Sequence, residues 1–149
     1  MSQEGRTKFT GGCQCGAVRY EGERAAEDAF AKVHWCHCRM CQRAVGNVAA
    51  TLVPVRKANL RWIGEPSLFQ SSSLATRGFC NKCGTPLSFA YDRSPWACVT
   101  LGSLDEPAAM PPQIHFGVES ALPWLHIDDD LPRERTDAAT VADMVNNQR

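Results

Sequence analysis

With 149 residues the chain has the length of one ordinary domain, able to hide about 70% of its unfolded surface and so to build a core. Hydrophobic residues at 44% and charged ones at 21% exclude a disordered, collagen-like or coiled-coil chain. Sixteen basic residues balance sixteen acidic ones, which removes the electrostatic pull toward phosphate that nucleic-acid and membrane-surface binders need.

The opening MSQEGRTKFTGG is polar and has no apolar signal region, and no later run approaches the roughly 18 apolar residues of a spanning helix. The expectation is a cytoplasmic protein without a membrane anchor, in a reducing compartment where close cysteines serve as metal ligands or redox thiols. Residues 1–9 read as a flexible N-terminus, 10–135 as the domain, and 136–149 as a C-terminal helix or tail. Segments 17–21, 30–35, 48–55, 59–63, 68–72, 87–91, 97–101 and 113–118 are rich in β-branched or aromatic residues and are separated by Gly, Pro, Ser or Asn. No stretch before residue 135 sustains an apolar period of about 3.6 residues over three turns, so the pattern is mainly β, with one helical turn allowed after Cys38.

The run Ser71, Ser72, Ser73 reads as a turn rather than a ligand contact. In SALPWLHIDDDLPR, Trp124 and Leu125 are expected to anchor the segment, and Asp128 to Asp130 to form a solvated turn. Thr136 can cap a last helix whose Val141, Met144 and Val145 fall at i, i+3 and i+4.

Eight cysteines are the compositional outlier, and seven of them form three clusters: Cys13 with Cys15, Cys36 with Cys38 and Cys41, and Cys80 with Cys83. Zinc takes a tetrahedron of thiolates at about 2.3 Å, and cysteines two or three residues apart on a turn share one ion without strain. Gly16 and Gly84 follow two of the pairs, where a metal knuckle turns sharply and needs positive φ. One Cys-x-Cys and one Cys-x-x-Cys close a tetrahedron, which assigns Cys13, Cys15, Cys80 and Cys83 to a structural zinc, although iron also accepts four cysteines. Cys36, Cys38 and Cys41 lack a fourth cysteine in their segment, so a metal there either keeps an open position or takes His34, His37 or another histidine. His37, between two ligands on extended backbone, is expected to point away from them. Cys98, in WACVTLG, reads as a small buried hydrophobe.

GGCQCGAVRYE, CHCRMCQRAVG, RGFCNKCGTPL, LGSLDEP and PWLHIDDDLPR, in this order, resemble the glutathione-dependent formaldehyde-activating enzyme family, also called the centromere protein V domain family. The resemblance implies an Mss4-like zinc-binding β fold with short helical turns, a structural zinc on Cys13, Cys15, Cys80 and Cys83, and a second zinc on Cys36, Cys38 and Cys41. It also implies a carbon-sulfur lyase acting on glutathione and an aldehyde, with the second site as the catalytic one. A proton donor is then needed, for which His115 in the strand IHFG is the candidate. Glutathione carries two carboxylates, which makes Arg39, Arg43 and Arg77 its candidate contacts. Partners reduce to a small-molecule thiol or aldehyde, with no nucleic acid and no membrane, and the oligomeric state stays open. A non-catalytic zinc-stabilised binding module and a thiol redox sensor are the alternative readings.

Overall fold

In the computed structural model, which describes residues 5–148, the strands assemble into two sheets. The smaller is antiparallel, in the order β1 (Thr7–Gly12), β2 (Arg19–Arg24), β5 (Leu60–Ile63). The larger contains β3 (His34–Cys36), β4 (Ala50–Arg56), β6 (Ser67–Gln70), β7 (Ala75–Phe79), β8 (Pro86–Tyr91), β9 (Trp96–Thr100), β10 (Ile114–Phe116) and β11 (Arg133–Glu134). Its spatial order is β11-β10-β3-β4-β9-β8-β7-β6, with β10 parallel to both of its neighbours. A short helix α1 (Arg39–Val45) follows β3, and α2 (Ala138–Val141) lies near the C-terminus.

The mainly β architecture is the one that the strand pattern predicts, and each of the eight expected segments contributes a strand. Three more strands form. β1 starts at Thr7, so residues 7–9 of the expected flexible N-terminus are paired with β2, while residues 1–4 lie outside the described part. β7 and β11 are the others. The C-terminal helix is a single turn capped by Asp137, whose carboxylate accepts from the Ala139 N–H at 3.1 Å, rather than by Thr136. Thr136 instead donates its N–H to Glu119 at 2.9 Å. Among the described residues no helix is long and apolar enough to cross a membrane.

The main core draws on both sheets: Tyr20 from β2, Val53 from β4, Leu87 from β8 and Val99 from β9 are fully buried, and Cys13 and Cys80 belong to the same cluster. A second cluster gathers Cys41, Ala50 and Leu52, with Cys36, Cys38 and Cys98 against it. Leu125 is half-buried, but Trp124, expected as an anchor, is 67% exposed.

The buried phenol of Tyr20 is satisfied rather than merely enclosed. Ser103 Oγ donates to the Thr100 carbonyl, so Tyr20 donates to Ser103 Oγ at 2.6 Å. Burial pushes the Tyr20 hydroxyl up to about 12. The ring meets Trp62 edge-on at 5.3 Å. This arrangement needs Gly11, where a Cβ would lie 2.3 Å from the Tyr20 hydroxyl and 2.5 Å from the Ser103 carbonyl oxygen. Gly11→Ala should therefore destabilise the metal-loaded protein by about 1–3 kcal/mol in denaturant unfolding, the cost of overpacking a fixed core. An unchanged unfolding midpoint would show that Tyr20 has room to move.

Candidate metal centres

Two turns at the ends of different sheets carry the first four cysteines. Between β1 and β2, the Cys13 N–H donates to the Val18 carbonyl at 2.9 Å, and the Val18 N–H donates to Cys13 Sγ at 3.3 Å. Between β7 and β8, the Cys80 N–H donates to the Thr85 carbonyl at 3.0 Å, and the Lys82 N–H donates to Cys80 Sγ at 3.4 Å. Gly16 and Gly84 both have φ of 82°, the left-handed conformation that their place after a cysteine pair predicts. N–H groups aimed at sulfur favour the thiolate, and the Thr85 hydroxyl, followed by its backbone, holds Cys83 down to about 5.

The four sulfurs lie within 4.8 Å of one another, with Cys13 to Cys15 at 3.6 Å and Cys15 to Cys80 at 3.8 Å. Sulfurs placed tetrahedrally at about 2.3 Å from zinc are separated by about 3.8 Å, so the spacing fits that ion. All eight cysteines are free thiols.

The second cluster sits where strand passes into helix. Cys36 ends β3, Cys38 caps α1 by accepting the Cys41 N–H at 3.3 Å, and Cys41 lies in the first helical turn. Their sulfurs also lie within 4.8 Å of one another. Among the described residues no histidine, cysteine or carboxylate joins them as a fourth ligand. His34 Nδ1 contacts the Lys32 carbonyl at 2.8 Å instead, and the His37 ring is held by His115. Gly117, with φ of 67°, lets the end of β10 pass closely, since a Cβ there would lie 3.0 Å from the Cys38 nitrogen.

Charge is unevenly shared within this cluster. Hydrogen bonds from Cys36 and Cys38, and then the Arg77 guanidinium, hold Cys41 down to about 3, whereas sharing protons with Cys38 and Cys41 pushes Cys36 far up. Three thiolates this close repel one another, and a cation held between them would offset that repulsion. Three soft ligands with no protein fourth therefore suit zinc with one coordination position left for a non-protein ligand.

Arg77 is buried and committed: Nη2 donates to Cys41 Sγ at 3.4 Å, Nε donates to Ser71 Oγ at 2.8 Å, and the guanidinium lies 4.7 Å from the centre of the Phe89 ring. It also lines a cavity of about 300 Å³ with Val45, Leu52, Phe69, Ser88 and Gln148. Arg39 and Arg43 line a different recess, beside Asn47 and Leu122, and Arg39 donates to the Gln42 side-chain oxygen. The three arginines expected to share one ligand therefore do not converge. Ser71 and Ser72 are fully buried in the turn before β7, where the C-terminal segment docks through the Asn147 N–H to the Ser71 carbonyl at 2.9 Å.

His115 is placed differently from a proton donor open to substrate. It is 2% exposed, and both ring nitrogens are engaged, Nδ1 with His37 Nε2 at 2.8 Å and Nε2 with the Asp129 carboxylate at 3.0 and 3.2 Å. Both nitrogens are thus occupied within the protein, and this arrangement presents neither of them to a ligand. Asp129, expected to be solvated, also pairs with Arg133 at 3.0 Å. Cys98 packs against the second cluster, and burial pushes its thiol up to about 12.

The profile of the glutathione-dependent formaldehyde-activating enzyme family matches residues 8–120. A Schizosaccharomyces pombe protein named an uncharacterized lyase is 30% identical over 84 residues, which span 56% of this chain and 58% of that protein. The match thus covers less than two thirds of that relative. A Rhodobacter sphaeroides protein of known crystal structure superposes with a TM-score of 0.53 at 23% identity, covering 84% of this chain and 99% of the other, a likeness of fold.

Cys83→Ser should cost the protein one zinc equivalent in native mass spectrometry and most of its thermal stability, because zinc contributes about 10–16 kcal/mol in small zinc folds. Full zinc content with unchanged melting by circular dichroism would overturn the four-cysteine assignment.

Proposed function

The chain belongs to the glutathione-dependent formaldehyde-activating enzyme family, and from that membership we propose a zinc-dependent carbon-sulfur lyase acting on a thiol, first of all glutathione, and an aldehyde or its thiol adduct. The observation that carries this reading is the convergence of Cys36, Cys38 and Cys41 with no fourth protein ligand among the described residues. Held by these three cysteines, zinc would supply one coordination position and keep a thiol there ionised near neutral pH, where a free thiol of pKa about 8.5 is mostly protonated.

The reaction joins the thiol sulfur to the aldehyde carbon and moves the thiol proton to the carbonyl oxygen, and its reverse breaks the same bond. The chain's own groups serve it by position and charge. Three thiolates around a dication leave one net negative charge, and Arg77, donating to Cys41 Sγ, offsets it inside a buried site where charge is poorly screened. The cavity that Arg77 lines would take the body of the thiol substrate, with the guanidinium and the Ser88 hydroxyl as donors for a carboxylate or a carbonyl oxygen. The Cys41 N–H on Cys38 Sγ fixes one ligand sulfur from the helix side.

Zinc-loaded protein should speed the approach to equilibrium between glutathione and carbon-13 formaldehyde, followed by NMR exchange, and Cys41→Ser should return it to the uncatalysed rate while keeping its fold and one zinc. Two zinc ions that respond to neither glutathione nor another thiol, with no rate gain in the parent protein, would replace this reading by a zinc-stabilised binding module.

A further inference from the structure

Behind the three-cysteine site two buried histidines, His37 and His115, lie in a file that runs from the half-buried Trp35 through the half-buried Asp129 to Arg133 at the surface. His37 is flanked in sequence by Cys36 and Cys38 and is fixed at three points. Its N–H donates to the Phe116 carbonyl at 2.9 Å, its carbonyl accepts from Gln42 Nε2 at 2.7 Å, and its ring meets His115. His115 stacks almost parallel on Trp35, at 5.8 Å and 7°. Asp129 closes the file and is itself fixed by Arg133 and by the Leu131 N–H at 3.1 Å.

The proton positions follow from the far end. A carboxylate only accepts, so His115 donates from Nε2, and its Nδ1 must accept from His37 Nε2–H. This ordering leaves His37 Nδ1 as a bare acceptor, and that atom is the one buried side-chain nitrogen or oxygen without a partner among the described residues. Without the carboxylate, His115 is free to take the other tautomer and the hydrogen bond between the two rings to reverse, so the proton order that anchors the His37 ring is lost.

We propose that Asp129 is a positioning residue for the Cys36, Cys38 and Cys41 site, acting through His115 and His37 to hold the turn that presents the first two sulfurs. Successive side chains on extended backbone point to opposite sides, so a His37 ring locked behind the turn keeps its neighbours' sulfurs in front of it. Asp129 and Arg133 lie in the segment PWLHIDDDLPR, far along the chain from the cysteines that they would help to position. The inference rests on the reading that the three cysteines hold a metal.

Cobalt(II) reports each site through its ligand-field and thiolate charge-transfer bands. The parent protein should take two cobalt ions, and a Cys41→Ser background isolates the spectrum of the four-cysteine site. Asp129→Ala should weaken the second ion by about tenfold, the lower end of the loss seen when a partner of a metal ligand is removed, and alter its bands while sparing the first site. Asp129→Asn, whose side-chain oxygen still accepts, should recover part of that loss. His37→Gln combined with Asp129→Ala should bind no more weakly than the poorer single variant. Unchanged second-site binding in Asp129→Ala overturns the inference, as does additive loss in the double variant. Loss of both metals from both Asp129 variants also overturns it, since the role would then be general folding. A parent protein that takes only one cobalt overturns the metal reading of the three cysteines itself, a result distinct from the others.

Discussion

Four cysteine sulfurs within 4.8 Å of one another tie the β1–β2 turn of the small sheet to the β7–β8 turn of the large one. As thiolates they repel, and only a cation between them turns that repulsion into a joint. The apolar core lies directly beside it, with Cys13 and Cys80 among the residues that pack with Tyr20, Leu87 and Val99. On the metal reading, closing that joint would bring the two turns together beside the core.

The same joint bears on the second site through β7. Arg77 lies in that strand three residues before Cys80, and the strand register that delivers Cys80 to the knuckle also delivers the guanidinium to Cys41 Sγ at 3.4 Å. The three cysteines themselves sit on β3 and α1, so β7 reaches their site through the Arg77 side chain.

What the sequence made legible was local. The cysteine spacing announces both clusters, and for the four-cysteine one the glycines after each pair do so too, because a metal knuckle is built within six residues and leaves its mark in those residues. The missed strands carry weak β signals. TKFTGG in β1 is polar and contains Gly11, whose missing Cβ makes room for Tyr20, and ATRGF in β7 spends an arginine on a buried sulfur instead of an apolar contact. The histidine file was illegible for a different reason: His37 and His115 are 78 residues apart, and neither position has a periodicity that reveals its partner. Asp129 hides in an acidic run whose ordinary fate is solvation, yet its carboxylate is claimed by His115 and Arg133.

Recognition of the thiol substrate, on the proposed reading, is narrower than the family name implies. A cavity of about 300 Å³ lies at the small end of ligand pockets, and it offers one guanidinium, while Arg39 and Arg43 line a separate recess. Glutathione has a carboxylate at each end, so only one of them can meet Arg77, and the other arm must lie along the surface or reach toward α1. Selection then falls on the sulfur and on the single arm inside the cavity. A smaller thiol with one carboxylate would satisfy the same contacts, and the energy separating it from glutathione would come from the outer arm alone, through exposed charge pairs that are each worth about 0–1 kcal/mol.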